Sequence, residues 1–200
     1  GRSVPVSENG NGIHIFARST FGKGYTLADA YDVRQTQGRP LKEVHLENDT
    51  RDMESAMTTL LNYAVCQVVI DKELETPAVY DPQRMELAIN PDYPDHEMFA
   101  AIATAVAHSR LHGKGYNAQY DYAESDLDAQ SVSYLLCRRF GVERDLPDTA
   151  ELPALYDGWD AQERRQALDQ IQKMSKQIGA SVEKSITPQR SRVPMQHNGR

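Results

Sequence analysis

Two histidines one helical turn apart are the residues of this chain whose type and spacing could do chemistry. His108 and His112 lie in a largely apolar stretch, residues 99–113. In the His-Glu-x-x-His helix of zinc peptidases, two imidazoles bind the metal and the glutamate acts as general base. With His108 as the second imidazole, the first imidazole position holds Thr104 and the base position holds Ala105. The spacing therefore predicts a helix of this type that lacks its base and its first ligand.

The same histidines allow two other interpretations. His108 and His112 have the i, i+4 spacing of a zinc site, and Glu124, Asp126 or Asp128 on the next predicted helix could supply a third ligand. Alternatively, His108 packs inside the protein and His112 is stabilised by the C-terminal end of the helix dipole. We favour the packed interpretation, and we favour catalysis least, because no general base stands at the expected position.

The apolar spacing and the turn residues predict the elements that must position these side chains. Strands are predicted over residues 13–18 and 26–33, a helix over 51–73, a hairpin around 79–89, and helices from Asp95 to Gly113, over 124–139 and over 161–184. Strands followed by a run of helices indicate an α+β fold, a small antiparallel sheet packed with about four helices. We expect one domain over residues 12–186, with flexible segments at 1–11 and 187–200.

Five short segments then carry a resemblance to a known family. Residues 31–38 are similar to its segment VFDVSQTEG, residues 80–91 to the hairpin before its active helix, residues 104–112 to HELAHWTGH, residues 122–130 to YAREELVAE, and residues 136–142 to the pattern LC…LGI. In this order they resemble the zincin-like metallopeptidase domain of ArdC-type antirestriction proteins and of the related LtrC-like and ImmA/IrrE-like proteins. The resemblance covers roughly residues 12 to 186.

The resemblance implies a chemistry that this sequence has largely lost. In the family, two histidines and an acidic residue hold a metal whose bound water gives its proton to the glutamate. The corresponding positions here are Thr104, Ala105 and His108, followed by Asp126 and Gln130 for the acidic residues. Alanine cannot act as a base, and a glutamine carbonyl is a poor substitute for a carboxylate on zinc. We therefore expect a pseudoenzyme with a degenerate site, no catalytic residue and no metal; a metal, if bound, would be zinc on His108, His112 and Asp126.

Composition limits the class of partner. The 200 residues carry a formal net charge of −7, which disfavours binding of nucleic acid by the whole surface, because phosphate contacts need clustered Lys and Arg. No apolar stretch reaches the roughly 18 residues of a membrane span. The two cysteines, Cys66 and Cys137, are interpreted as buried thiols in a reducing cytoplasm. The polar start without Met indicates a segment of a longer cytoplasmic protein.

These observations lead to one functional expectation and two alternatives. We expect a binding or scaffolding module inside a larger bacterial protein of a mobile or conjugative element, with a protein partner; its oligomeric state is not indicated. One alternative is a metal-dependent hydrolase with a relocated site at His108 and His112. The other is a single-stranded DNA-binding module of antirestriction type, in which Tyr116, Tyr120 and Tyr122 would stack on bases.

Overall fold

The computed structural model describes residues 13–18, 25–30, 44–113, 120–148, 150 and 156–186. The chain divides into two units, Gly1–Lys42 and Glu43–Arg200. In the first unit, strand β1 (Ile13–Arg18) pairs antiparallel with strand β2 (Tyr25–Ala30). The predicted strand 13–18 is confirmed, and the last three residues of the predicted strand 26–33 lie outside the described residues. The terminal segments 1–11 and 187–200 lie outside them as well.

The second unit holds the rest of the secondary structure. Its elements are α1 (Arg51–Leu61), β3 (Gln67–Ile70), β4 (Ala78–Asp81), β5 (Glu86–Ile89), α2 (Asp95–His112), α3 (Tyr122–Arg139) and α4 (Ala161–Ile186). Four helices and a three-stranded sheet among the described residues confirm the predicted α+β class. None of these helices is long and apolar enough to cross a membrane.

Local signals in the sequence explain where the helices begin and end. The side chain of Thr50 accepts a hydrogen bond from the backbone N–H of Met53, and that of Asp121 accepts one from Glu124, which caps α1 and α3. After α3, Gly141 has a φ of 67°, a conformation that glycine adopts without strain. A Cβ at that position would also collide with the ring of His45. The end of α3 just before Gly141 therefore has a steric reason.

The sheet has the order β3-β5-β4 and is mixed. Strands β4 and β5 form the predicted antiparallel hairpin, whereas β3 runs parallel to β5. The predicted helix over 51–73 was wrong beyond residue 61, because Val68 and its neighbours form β3 instead of a further helical turn. A short apolar run fits either a helix or a strand, and β3 is held by backbone bonds to a distant segment, such as Gln67 N–H to the carbonyl of Met85 at 3.2 Å.

Helix α2 is the centre of the second unit. It packs against α1, α3, β4 and β5, and its buried residues include Phe99, Ile102, Val106 and His108. A helix that is apolar on all sides is typical of the middle of a core. Phe99 meets Phe140 edge to face with ring centroids 6.1 Å apart, which joins α2 to the end of α3. The α2–α3 pair therefore holds the candidate site residues on a rigid support.

Candidate functional site

His108 is fully buried between α2 and α3, and both of its ring nitrogens are engaged. Nε2 lies 3.1 Å from Oδ1 of Asp126, and Nδ1 lies 2.8 Å from the hydroxyl of Tyr120. Because a carboxylate can only accept, the neutral ring donates from Nε2 to Asp126 and accepts at Nδ1 from the Tyr120 hydroxyl. Neither nitrogen offers a lone pair to a metal in this arrangement.

Burial decides the charge of this imidazole. Removal from water lowers the pKa of His108, and the hydrogen bond and charge of Asp126 raise it by less. The ring is therefore neutral at neutral pH even though it contacts a carboxylate. The pair is a hydrogen bond between a neutral donor and an anion, which matches the tautomer assigned from the geometry.

Asp126 and Gln130, the two positions matched to the acidic residues of the family, bind each other. Nε2 of Gln130 donates to Oδ2 of Asp126 at 2.6 Å, while Oδ1 faces His108. The Asp126 side chain keeps 37% of its surface exposed, so water still reaches it. We call the connected side chains of Tyr120, His108, Asp126 and Gln130 the His108 network.

Three tyrosines close the two histidines off. The ring of Tyr122 stacks on His108 at 4.0 Å between centroids and that of Tyr120 on His112 at 4.5 Å. The hydroxyl of Tyr80, on β4, lies 2.7 Å from Nδ1 of His112, and burial raises the pKa of Tyr80 to about 12. Tyr116, which the sequence grouped with Tyr120 and Tyr122, lies outside the described residues. Tyr80 begins the hairpin segment 80–91, but the sequence did not indicate its contact with His112, which follows 32 residues later.

The donor set does not fit a catalytic metal. The hydroxyl of Thr104 donates to the carbonyl of Ala100 at 3.1 Å, one turn back in α2, and Ala105 has no ligating atom. In the described part of the chain, no three His, Cys, Asp or Glu side chains come together as a group that could hold a metal ion. The set His108, His112 and Asp126 proposed from the sequence is therefore not assembled.

An open cleft lies beside the His108 network. Its volume is about 450 Å³, and it is lined by Thr104 and Ala105 from α2, Gln130 from α3, and Ala78 and Tyr80 from β4. The matched positions thus divide into two groups: His108 and Asp126 form the buried network, whereas Thr104, Ala105 and Gln130 line the cleft. The side chain of Gln130 takes part in both.

Arg144 is a residue of the cleft that the sequence analysis missed. It follows α3, and its Nη1 donates to the carbonyl of Ala100 at 3.0 Å and to the hydroxyl of Ser133 at 2.8 Å. Burial lowers the pKa of Arg144, yet a guanidinium stays protonated at neutral pH. No local pattern marks this arginine, because its position depends on the packing of α2 against α3.

A second cavity, of about 440 Å³ and mostly apolar, lies between α3 and α4. Asp128 lines it and accepts a hydrogen bond from the hydroxyl of Tyr156 at 3.3 Å, while burial raises the pKa of Asp128. This carboxyl group therefore faces away from the histidines. Glu124, the other alternative ligand, is exposed at the beginning of α3.

Comparison with known proteins gives a result at the level of the fold. No protein-family model and no curated protein sequence matches this chain. Among solved structures, it is similar to the metal-free antirestriction protein ArdC from plasmid R388, with a TM-score of 0.54, 15% identity, and coverage of 90% of this chain and 73% of that protein. The Mn(II)-bound form of that protein gives a TM-score of 0.49 and 13% identity over 88% of this chain and 69% of that one. The resemblance drawn from the sequence is therefore confirmed for the fold: this chain shares the architecture of ArdC.

Proposed function

We propose that this chain is a non-catalytic binding module with an ArdC-like fold, whose cleft holds an extended segment of a protein partner. The observation that carries the proposal is the cleft itself. It is open beside a strand edge, and Thr104 and Ala105, the residues matched by the resemblance to the family's first metal ligand and general base, line it. A cleft of this kind can bind a chain, but the position matched to the family's general base has no side chain that could accept a proton from water.

The loss of catalysis follows from three side chains. Ala105 has nothing to accept a proton, and Thr104 directs its hydroxyl to a backbone carbonyl. His108 already uses both nitrogens within a buried network. To bind a metal, His108 would have to give up its hydrogen bond to Tyr120 or to Asp126, at a cost of about 0.5–1.5 kcal/mol for the bond lost.

Strand β4 supplies the surface for an extended partner. The carbonyl of Pro77 accepts from the N–H of Asn90 at 2.9 Å, so the alternation of an antiparallel ladder directs the backbone groups of Ala78 and Tyr80 away from β5. Both residues line the cleft, and β4 is an edge of its sheet. An added strand could therefore pair with this edge through backbone hydrogen bonds.

Charge favours a protein over nucleic acid as the partner. The chain carries a net charge of −7, and Glu97 stands among the residues that line the cleft. Phosphates would be repelled by both, whereas a peptide backbone is neutral. The solved protein with the similar fold is an antirestriction protein of a plasmid. We accordingly place this module in the cytoplasm, within a bacterial mobile-element protein, where single-stranded DNA is the alternative partner.

Metal content is the measurement that tests the non-catalytic part of this proposal. The purified chain is incubated with Zn²⁺ or Mn²⁺, desalted and measured by elemental analysis beside His108→Ala. We expect no stoichiometric metal in either protein. One zinc or manganese per chain that is lost in His108→Ala would contradict the proposal and favour the relocated hydrolase site.

Thr104→His provides a positive control for that measurement. The substitution sets a second imidazole one turn before His108, the i, i+4 pair that binds zinc. We expect this variant to retain more zinc than the wild-type chain under the same conditions. If it retains no more, the hydrogen bonds to Tyr120 and Asp126 hold His108 even beside a second imidazole, and the measurement lends no support to matching residue 104 with the first ligand.

A further inference from the structure

The guanidinium of Arg144 has donors that the protein does not use. Of its five N–H groups, the two on Nη1 bind the carbonyl of Ala100 and the hydroxyl of Ser133. Among the described residues, no acceptor is bound to Nε or Nη2, and no carboxylate lies within ion-pair distance of Arg144. Arg144 is one of the residues that line the cleft, so a ligand bound there is the natural acceptor for these unused donors.

This arrangement is chemically selective. Nε and Nη2 form the edge of the guanidinium that donates two parallel hydrogen bonds to the oxygens of a carboxylate. Arg144 is only partly exposed, so its charge has lost some of its water, and the charge of Asp126 acts on it from beyond ion-pair distance. Its bonds to Ala100 and Ser133 fix it against α2 and α3, so little freedom is lost when an anion binds.

We propose that the partner segment in the cleft carries an acidic side chain whose carboxylate pairs with Arg144. This inference rests on the proposed function, because it assigns chemistry to the segment that pairs with β4. In an added strand, every second side chain points to the same face of the sheet, and α2 packs on β4. A side chain on the α2 face is directed toward Ala100, the residue whose carbonyl Arg144 binds.

A peptide is favoured over DNA as the source of the anion. A polynucleotide would bring a row of phosphates past Glu97, which lines the same cleft, and onto a chain with a net charge of −7. A peptide needs to bring one carboxylate only, and its backbone matches the edge of β4. The cleft would then select extended segments that carry an acidic residue at one position.

A peptide library tests the inference with the full chain. Random heptapeptides displayed on phage are selected on the wild-type chain, on Arg144→Gln and on Arg138→Gln, an exposed arginine at the end of α3. We expect peptides from the wild type and from Arg138→Gln to share Asp or Glu at one position, and peptides from Arg144→Gln to lack it. One enriched peptide and its Glu→Gln version are then measured by calorimetry.

The calorimetry forms a double-mutant cycle. Loss of the carboxylate should weaken binding to the wild-type chain by about tenfold or more, and should change binding to Arg144→Gln little. Thermal unfolding of Arg144→Gln shows whether it folds. If it does not, Arg144→Lys takes its place, which keeps the charge without the planar fork and should weaken acidic peptides only.

The outcomes separate the two proposals. If no peptide is enriched on the wild type, the proposed cleft function fails and this inference fails with it. If peptides are enriched without an acidic position, or keep it on Arg144→Gln, the inference is overturned while the cleft function stands. Binding of a thymidine oligonucleotide that needs Arg144, with no peptide enriched, would assign the cleft to DNA and overturn both.

Discussion

The His108 network and the cleft lie on the same two helices, but they differ in whether their polar groups have hydrogen-bond partners. In the network, both nitrogens of His108 and both oxygens of Asp126 have partners. In the cleft, the guanidinium edge of Arg144 and the backbone edge of β4 have none among the described residues. Satisfied buried groups stabilise and order a fold, whereas unused donors at an open surface are available to a ligand. The difference supports the proposal that the network stabilises the fold and that the cleft binds a partner.

The largest effect expected from this comparison is on folding, from His108→Ala. The substitution removes the ring that stacks on Tyr122, leaves a cavity, and deprives Tyr120 and Asp126 of their partner. We expect the free energy of unfolding to fall by about 3 kcal/mol or more, from the cavity and the unpaired polar groups together. Urea denaturation monitored by circular dichroism measures it.

His96→Ala is the matched control, because it removes an imidazole from the same helix. His96 lies near the start of α2, and its ring bonds the amide of Asn48 at 3.2 Å in an exposed position. We expect a loss of less than about 1 kcal/mol. Equal losses for the two histidines would contradict the view that the network is a structural centre.

The fold was predictable where one segment determines its own structure. Helices α2, α3 and α4 lie close to their predicted bounds, and the caps Thr50 and Asp121 and the terminating Gly141 stand next to the helices that they bound. The strand β3 was not predictable, because its parallel pairing with β5 depends on residues nearly 20 positions away, outside any local sequence window. The apolar residue Val68 satisfied the helical spacing of α1 equally well.

The candidate site divides in the same way. The positions Thr104, Ala105 and His108 followed from the spacing along one helix. Of the partners of the histidines, Asp126 was named with His108 from the sequence, whereas the contacts of Tyr120, Tyr122 and Tyr80 were not, because these rings reach the histidines only after α2, α3 and β4 have packed. Arg144 had no signal at all, since an isolated arginine after a helix is usually solvated, and only the structure shows its bonds to α2 and α3.

A smaller effect is expected in the pH dependence of stability. Burial lowers the pKa of His108 in the folded chain below the roughly 6.5 of the unfolded chain. Below pH about 6.5, His108 binds a proton in the unfolded chain but not in the folded chain. The free energy of unfolding therefore decreases as the pH falls from about 6.5 toward the pKa of His108 in the folded chain. The slope from this group is at most about 1.4 kcal/mol per pH unit.

Denaturant unfolding between pH 7.5 and 5.5 measures this slope, and His108→Gln is the comparison because it cannot titrate. We expect the variant to lose less stability on acidification than the wild type. If the contact with Asp126 dominated instead, the pKa of His108 would be raised and acidification would stabilise the wild type relative to the variant. That sign would show that the charge of Asp126 outweighs desolvation and that the ring is a cation.

The smallest effect is expected at the first matched position of the cleft, from Thr104→Val. The hydroxyl of Thr104 bonds only the carbonyl of Ala100, which is also a backbone acceptor within α2, and the side chain borders the open cleft. Valine has the same shape and the same branching, so the change in free energy of unfolding should be within about 0.5 kcal/mol. Urea denaturation beside His108→Ala measures the contrast directly. A loss of more than about 1 kcal/mol would mean that Thr104 is coupled to the His108 network, and the division between a stabilising network and a binding cleft would no longer hold along α2.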